Sequence, residues 1–221
     1  NASIKSGTFP NAWRKSKVIP IFKKGDKMMP ENYRPVSCVP SASKVLESVV
    51  EKQLRKYCED NRLLPIRQHG FRSSRSTITA LTSIISEWVA QHEEGKHTGV
   101  LLWDLSAAFD TIDVELLCAK MAEYGVLPRS LKWFHSFLTN REQRVCVGDR
   151  FSDVIVTYIG CPQGSLLSPI LFLIYVADLE LWVDGVTVQG YADDTISSYS
   201  STSEDEPKNA LAIPGIKIFG G

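Results

Sequence analysis

The sequence predicts a mixed α/β fold of the α+β class, and two observations lead to that prediction. Apolar residues recur at helical spacing over several stretches, while other short stretches alternate apolar and polar side chains as strands do. From Gly99 onward the predicted order is strand, helices, two strands, helix, two strands, which resembles the split βαβ arrangement of a ferredoxin-like sheet. With 221 residues, 43% of them hydrophobic, the chain can bury a substantial core as one domain or two subdomains.

The first half predicts one short strand and two helices. The first forty residues are rich in Pro, Lys and Arg, so we expect an extended region in which Val18–Phe22 is a strand that enters a turn. Helices are predicted over Ser43–Asp60 and over about Thr77–Glu94, with Gly95 ending the second one. The apolar residues of the second helix are expected to face inward: Ile78, Leu81, Ile84, Ile85, Trp88 and Val89.

The second half alternates strands and helices. The predicted elements are a buried strand over Gly99–Leu105, helices over Val114–Tyr124 and Arg129–Leu138, a hairpin of Gln143–Val147 and Phe151–Tyr158, a helix over Leu167–Leu181, and a hairpin of Val186–Val188 and Thr195–Ser197. Ser197–Pro207 has low hydrophobicity and Ala210–Gly221 has no clear helical or strand period, so we expect residues 201–221 to form a poorly ordered tail. Asn1 stands where an initiator Met would be, which indicates a fragment.

Charge is distributed unevenly along a chain whose formal net charge is zero. Residues 1 to 75 carry sixteen Lys and Arg against six Asp and Glu, whereas the remainder carries nine against nineteen. A basic half joined to an acidic half is expected where one region binds phosphates and the other holds metal ions, although two solvated faces would give the same count.

Cysteine spacing and hydropathy indicate the cellular compartment in which the protein is expected. The five cysteines are widely spaced and form no Cys-x-x-Cys pair, which argues against a disulfide framework or a structural zinc site. The most apolar stretch, Ile170–Ala177, is too short to span a bilayer. We therefore expect an intracellular protein without a membrane segment, nuclear or cytoplasmic.

The adjacent carboxylates of Asp193 and Asp194 fall at the tip of the last predicted hairpin. A tight turn favours Asn-Gly or Asp-Gly over two like charges, so a divalent metal would explain the pair, while a solvated loop is the commoner alternative for such a motif. A third carboxylate, Asp104, ends the apolar strand Val100–Trp103, where a charge is costly unless it is paired, bound to metal or capping a turn.

Two further segments could bind a nucleotide. The loop Gly160–Ser165 opens a helix and could present backbone N–H groups to an anion or a base pair, although Pro-x-Gly sequences usually mark plain turns. In the basic half, Lys23, Lys24 and Arg34 could bind phosphates, or could be solvated surface charges.

Together these segments resemble the reverse transcriptase domain of non-LTR (LINE-like) retrotransposons, from about Phe9 to Tyr199. The six matching segments stand in the family's order, which makes a chance match far less probable than for one motif. They are Val18–Asp26, Asn32–Ser37, Gln68–Ser73, Asp104–Asp110, Gly160–Ser165 and Tyr191–Asp194.

The resemblance implies a right-hand polymerase with fingers over residues 1–95, a palm with a ferredoxin-like sheet over residues 96–200, and a chain that stops before the thumb. It implies that Asp104, Asp193 and Asp194 form the catalytic triad and bind two Mg²⁺ ions, with Mn²⁺ as a substitute. The implied partners are an RNA template, a DNA primer and dNTPs. Oligomeric state stays open.

The resemblance also assigns nucleotide and template contacts. Phe109 resembles the steric gate that excludes a ribose 2′-hydroxyl, and Gln163 resembles the glutamine of the incoming-nucleotide pocket. That pocket is expected to include Gly164 and Tyr191, and Arg34 with Lys23 or Lys24 is expected to bind the triphosphate. Gln68, Phe71 and Arg72 are expected to lie close to the template strand.

Two departures from the family pattern leave alternatives open. Cys161 stands where the family usually has Val or Thr, a small change. After the acidic hairpin no Lys-containing palm segment, primer-gripping hairpin or thumb is recognisable, and Lys217 stands too near Asp194 to match the lysine of that segment. The chain is therefore expected to be an active RNA-directed DNA polymerase domain or a truncated or domesticated fragment that binds nucleic acid without polymerising. An RNA-templated RNA polymerase is a third, weaker interpretation.

Overall fold

The structure is a computed structural model that describes residues 2–105, 107–183 and 185–211. It divides into two compact units: the first unit comprises Asn1–Asn61 and Ala107–Tyr175, and the second unit comprises Arg62–Ser106 and Val176–Gly221. The helices are α1 (Ala2–Ser6), α2 (Ser41–Asp60), α3 (Thr77–Glu93), α4 (Val114–Glu123), α5 (Pro128–Leu138) and α6 (Ser168–Tyr175). The strands are β1 (Lys15–Phe22), β2 (Tyr33–Cys38), β3 (His97–Asp104), β4 (Arg141–Val147), β5 (Arg150–Phe151), β6 (Ile155–Thr157), β7 (Thr187–Tyr191) and β8 (Asp194–Ser201).

The first unit contains a five-stranded sheet in the order β2-β1-β4-β5, with β6 also paired to β4. Strands β1 and β2 form an antiparallel hairpin in which Phe22 is opposite Tyr33. Strand β4 runs parallel to β1 and places Val145 beside Val18. Because β1 and β4 are far apart in sequence, this pairing joins the N-terminal hairpin to the middle of the chain.

Helix α6 and an aromatic cluster form the core of the first unit. All residues from Ile170 to Ile174 are buried, so this helix is apolar on every side, as expected of a central core helix. Phe9 contacts the ring of Trp133 edge-on at 5.6 Å, and Trp133 stacks on Phe137 at 5.7 Å. The short segment before β1 is thereby held against α5.

The second unit contains a three-stranded antiparallel sheet in the order β3-β8-β7. Val183, Val186 and Leu211 form a buried cluster against which Leu101 and Val188 pack. Helix α3 contacts this sheet as well: Gln189 donates a hydrogen bond to the carbonyl of Ala80 at 2.6 Å, and the Thr187 hydroxyl donates to Glu87 at 2.9 Å. The β7–β8 hairpin is therefore supported from both faces.

The predicted mixed α/β fold is confirmed, with one difference in strand pairing. The two strands in the middle of the predicted ferredoxin-like order are not in the sheet of β3, β7 and β8. The first of them, β4, pairs with β1, and the second, present as β5 and β6, pairs with β4. Alternation of apolar and polar residues predicts a strand but not its partner, and here the N-terminal hairpin provides the free edge.

The inward face predicted for α3 is wrong at four positions. Ile84 is buried, but Ile78, Leu81, Ile85 and Val89 are 73%, 55%, 50% and 51% exposed. The side that packs on the sheet carries Ala80, Ile84 and the polar Glu87, because its partners on β7 are Thr187 and Gln189. A stripe of large apolar residues did not identify the packed face.

The long helix predicted over Leu167–Leu181 is shorter. Helix α6 ends at Tyr175, and a separate 3₁₀ helix spans Leu179–Trp182. The Lys120 ammonium donates to the Tyr175 carbonyl at 2.6 Å, which satisfies a backbone acceptor at the end of α6.

In the predicted tail, residues 206–211 are helical and Leu211 is buried. Residues 212–221, including Lys217, lie outside the described residues, as do Ser106 and Asp184. In the part of the chain that the structure describes, no helix has both the length and the apolar character needed to cross a membrane.

Candidate active site

The acidic pair lies where the sequence predicted, at the turn of the β7–β8 hairpin. Tyr191 and Asp194 are the last paired residues of the two strands, so Ala192 and Asp193 form a two-residue loop. Ala192 has φ 59°, in the left-handed region that two-residue hairpin loops use and that usually selects Gly or Asn. The turn is therefore tight, with a non-glycine residue at its strained position.

The third predicted carboxylate belongs to the adjacent strand. Asp104 is the last residue of β3, and its Cα is the register partner of Asp194 in the antiparallel β3–β8 ladder. For Asp104 the structure describes the backbone only. The backbone thus brings Asp104, Asp194 and the loop residue Asp193 to the same end of one sheet.

Asp193 and Asp194 are accessible for ligand binding. Asp194 is exposed and Asp193 is partly buried. Within the described residues, neither carboxylate has a hydrogen bond or an ion pair with another side chain. Among the described side chains no group of three His, Cys, Asp or Glu residues could hold a metal ion, and the Asp104 side chain lies outside that set.

A short segment that includes Gln68 holds the acidic turn from the side. The N–H of His69 donates to the carbonyl of Gly190 at 2.8 Å, and the N–H of Gly190 donates to the carbonyl of Arg67 at 3.1 Å. Gln68 and Gly190 thus form a parallel bridge beside β7. A Cβ on Gly70 would lie 1.9 Å from the backbone nitrogen of Ala192, so only glycine fits there.

The three residues predicted near the template differ in accessibility. Gln68 is only 5% exposed, and its amide contacts the backbone of Ala192. Arg72 is partly buried and donates to the carbonyl of Pro65 at 2.7 Å. Phe71 is 39% exposed and has φ 56°, so it is the most accessible of the three.

In the first unit, the predicted phosphate-binding residues share the β1–β2 hairpin. The N–H of Lys23 donates to the carbonyl of Asn32 at 2.8 Å, which continues the ladder by one step beyond Phe22 and Tyr33. Lys23, Lys24 and Arg34 are exposed. The same hairpin therefore carries all three cations, and the exposure of its two lysines does not distinguish between them.

Phe109 lies in a turn that packs against the loop Gly160–Ser165. Its ring is partly buried and lies 5.1 Å from the ring of Phe172 on α6. The N–H of Cys161 donates to the Phe109 carbonyl at 2.6 Å. A Cβ on Gly160 would lie 2.7 Å from the carbonyl oxygen of Asp110, which explains the glycine at the start of that loop.

Gln163 is fixed at both its side chain and its backbone. Its Nε2 donates to Oδ2 of Asp110 at 2.7 Å, and its carbonyl accepts from the N–H of Ser37 at 2.7 Å. Gly164 has φ 110° and approaches the Ser37 carbonyl so closely that a Cβ would lie 2.6 Å from it. Burial raises the pKa of the Asp110 carboxyl, and the bond from Gln163 partly offsets this.

Glu47, which the sequence did not single out, anchors the same loop. This carboxylate is fully buried on α2, where it accepts hydrogen bonds from Ser43, from the Ser165 hydroxyl at 2.6 Å and from the Leu166 N–H at 2.9 Å. One sequence feature could have identified Glu47 as buried. It stands four residues after Ser43, on the side of α2 that also carries Leu54 and Cys58. A charge on that side predicts a buried partner.

A cavity of about 330 Å³ lies beside this loop, with Asp110, Gln163 and Arg141 in its wall. Arg141 is 4% exposed, donates to the Phe137 carbonyl at 3.0 Å, and has one terminal nitrogen without a hydrogen-bond partner among the described residues. Burial lowers the pKa of its guanidinium to about 10, an effect that nearby Glu47 opposes.

Sequence comparisons agree with the resemblance. Residues 21–213 match the family described as reverse transcriptase (RNA-dependent DNA polymerase). The chain is 29% identical over 225 residues to the probable RNA-directed DNA polymerase from transposon BS of Drosophila melanogaster, covering 96% of this chain and 24% of that protein. It is 30% identical over 219 residues to the RNA-directed DNA polymerase from mobile element jockey of Drosophila funebris, again covering 96% and 24%. The chain spans about a quarter of the length of these relatives.

Solved structures show a similar fold at low sequence identity. Apo telomerase from Candida tropicalis superposes with a TM-score of 0.64 at 12% identity, over 94% of this chain and 43% of that chain. A version truncated from the C-terminal domain gives a TM-score of 0.60, also at 12% identity, over 97% and 49%. With the six motifs in order and the family match over most of its length, this chain belongs to the reverse transcriptase family, as a LINE-like, non-LTR retrotransposon domain.

Proposed function

We propose that this chain catalyses RNA-templated DNA synthesis, transferring a nucleotide from a dNTP to the 3′-hydroxyl of a DNA primer annealed to an RNA template. The observation that carries the proposal is the register of β3 and β8, which sets Asp104 opposite Asp194 beside the Asp193 turn. In this proposal residues 1–95 act as fingers and residues 96–200 as palm.

The donor set fits hard divalent cations. Carboxylate oxygens are the ligands that Mg²⁺ prefers, and Asp193 and Asp194 have no protein partner in the described chain that would compete. Asp104, Asp193 and Asp194 would hold two Mg²⁺ ions, with Mn²⁺ as an alternative. When bound, such ions activate the attacking hydroxyl and stabilise the charge on the leaving pyrophosphate.

Other residues would bind and select the nucleotide. The exposed cations Lys23, Lys24 and Arg34 would neutralise the triphosphate, since Arg offers a bidentate fork to phosphate oxygens. Gln163, whose side chain bonds to Asp110 and whose carbonyl bonds to Ser37, would contact the incoming nucleotide, as would Gly164 and Tyr191. The ring of Phe109, supported by Phe172, would exclude a 2′-hydroxyl.

Primer extension tests the proposal. The intact chain would be incubated with oligo(dT) on poly(rA), dTTP and Mg²⁺, alongside Asp193→Asn and a matched control, Asp149→Asn, which removes an exposed carboxylate from the β4–β5 turn. We expect extension by the intact chain and the control, and a loss of about a thousandfold or more for Asp193→Asn. Equal background for all three proteins would show that the chain is an inactive member of its family.

The same assay tests whether Phe109 acts as the steric gate. Replacing dTTP with UTP measures ribonucleotide use, and Phe109→Ala is expected to raise the ratio of UTP to dTTP incorporation. An unchanged ratio in an active chain would contradict the role of Phe109. Efficient UTP use by the intact chain would instead favour RNA synthesis.

A further inference from the structure

The Gln68 side chain uses both ends of its amide on backbone atoms beside the acidic turn. Its Oε1 accepts from the N–H of Ala192 at 3.1 Å and from the N–H of Gly70 at 2.8 Å. Its Nε2 lies 3.3 Å from the carbonyl of Ala192 and donates to it. Ala192 therefore has both of its backbone polar groups bonded to one side chain.

The hydrogen bonds from Gln68 reach the residue at which the hairpin backbone is strained. Ala192 has φ 59°, a conformation that costs a residue with a Cβ on the order of 1 kcal/mol and persists only when its surroundings enforce it. Asp193 is the next residue, so the peptide that Gln68 holds by its carbonyl is the one that leads into the catalytic carboxylate.

The surroundings of Gln68 are shaped to fit this amide. Gln68 is 5% exposed, and a Cβ on Gly190 would lie 2.4 Å from its Nε2, so the glycine is needed to admit the side chain. A buried residue in this place has little surface with which to contact a template strand. The contacts point to a role inside the protein.

We propose that Gln68 is a positioning residue for Asp193: it fixes the left-handed backbone of Ala192 and so sets the direction in which the Asp193 carboxylate leaves the turn. This inference deepens the proposed function and rests on it for its kinetic consequence. Its structural part, control of the turn by Gln68, stands on the contacts alone.

The structural part is tested by hydrogen–deuterium exchange on peptides that cover residues 190–195. Gln68→Ala is expected to speed exchange of the Ala192 amide by about tenfold, because the acceptor is gone. The matched control is Gln189→Ala on β7, which removes another buried amide-to-backbone bond, to Ala80, without touching the turn. Gln68→Glu keeps an acceptor for Ala192 and Gly70 but loses the donor, so intermediate protection is expected.

The kinetic part is tested by primer extension over a range of Mg²⁺ concentrations. For Gln68→Ala we expect kcat to fall by about tenfold to a hundredfold and half-saturation to require more Mg²⁺, with the KM for dTTP changed by less than about threefold. Gln189→Ala is expected to leave the Mg²⁺ requirement unchanged, because a general loss of stability does not change the Mg²⁺ concentration needed for half-saturation.

The outcomes are distinguishable. If exchange at the turn is the same in Gln68→Ala and Gln189→Ala, Gln68 does not hold the turn and the inference is overturned. If exchange changes as expected but the intact chain extends no primer, the proposed function fails while control of the turn stands. If exchange changes and an active chain keeps its kcat and Mg²⁺ requirement, the positioning role is overturned.

Discussion

Asp104 and Asp194 are direct backbone partners at the end of the β3–β8 ladder. Directly opposite residues in an antiparallel pair have Cα atoms about 4.5–5.5 Å apart, so this pairing brings together two residues that are ninety positions apart in sequence. The adjoining turn adds Asp193. One ladder and one two-residue loop thereby bring the backbones of three aspartates to the same end of the sheet.

Gly70 is expected to tolerate no side chain. A Cβ at this position would overlap the backbone of Ala192 and Tyr191, and backbone atoms cannot move aside cheaply. Gly70→Ala is expected to lower the free energy of unfolding by about 3 kcal/mol or more, measured by urea denaturation. Gly95→Ala is the control: it has φ 73° but open space around it, so a loss of only about 1 kcal/mol is expected. Equal losses would contradict the close packing of Gly70.

Glu47 is expected to matter more for stability than a carboxylate one turn away. Glu47→Ala leaves the Ser165 hydroxyl and the Leu166 N–H without their acceptor in a buried place, and we expect a loss of about 2–4 kcal/mol in the free energy of unfolding. Glu51→Ala on the same helix removes only an ion pair with Arg55, which is worth about 0.5 kcal/mol. A small, equal effect of both changes would show that Glu47 does not anchor the loop.

His69 is expected to make the second unit sensitive to acid. Burial, followed by the charges of Arg75 and Arg72, lowers the pKa of His69 in the folded protein. The neutral ring therefore favours folding fully above the unfolded-state pKa of about 6.5, and this contribution is lost as pH falls towards and through the folded pKa, at about 1.4 kcal/mol per unit of pKa difference. Urea unfolding at pH 7.5 and 5.5 should show a smaller loss for His69→Gln than for the intact chain. A steeper loss in the variant would contradict the direction of the shift.

The cysteines are expected to differ in reactivity. All five are free thiols; Cys38 is exposed, whereas Cys161 is buried, and burial raises the pKa of the Cys161 thiol to about 12. Because the thiolate is the nucleophile, iodoacetamide should label Cys38 in the native protein and Cys161 only in denaturant, as read by mass spectrometry of peptides. Native labelling of Cys161 at the rate of Cys38 would contradict its burial.

The sequence predicted the elements of the site better than their packing. Alternating residues on either side of Tyr191–Asp194 were enough to place the acidic pair in a hairpin turn, and the apolar run before Asp104 was enough to place it at a strand end. These are local patterns, and local patterns report secondary structure. The family motifs then linked segments that are distant in sequence.

Long-range contacts could not be predicted in the same way. Nothing local to Gln68 indicates that its amide bonds to Ala192, since a glutamine two residues before a glycine is typical of any polar loop. The parallel pairing of β4 with β1 depends on a free strand edge elsewhere in the chain. On α3 large apolar residues cover too much of the helix for the packed side to be identified from spacing alone.

Binding of Mn²⁺, followed by electron paramagnetic resonance, tests the metal site of Asp104, Asp193 and Asp194 without template or primer. We expect the intact chain to bind Mn²⁺. Asp104→Asn, Asp193→Asn and Asp194→Asn should each weaken binding by about tenfold or more, while Asp149→Asn should not. Undiminished binding in all three site variants would contradict the assignment of the metal site to the end of the β3–β8 ladder.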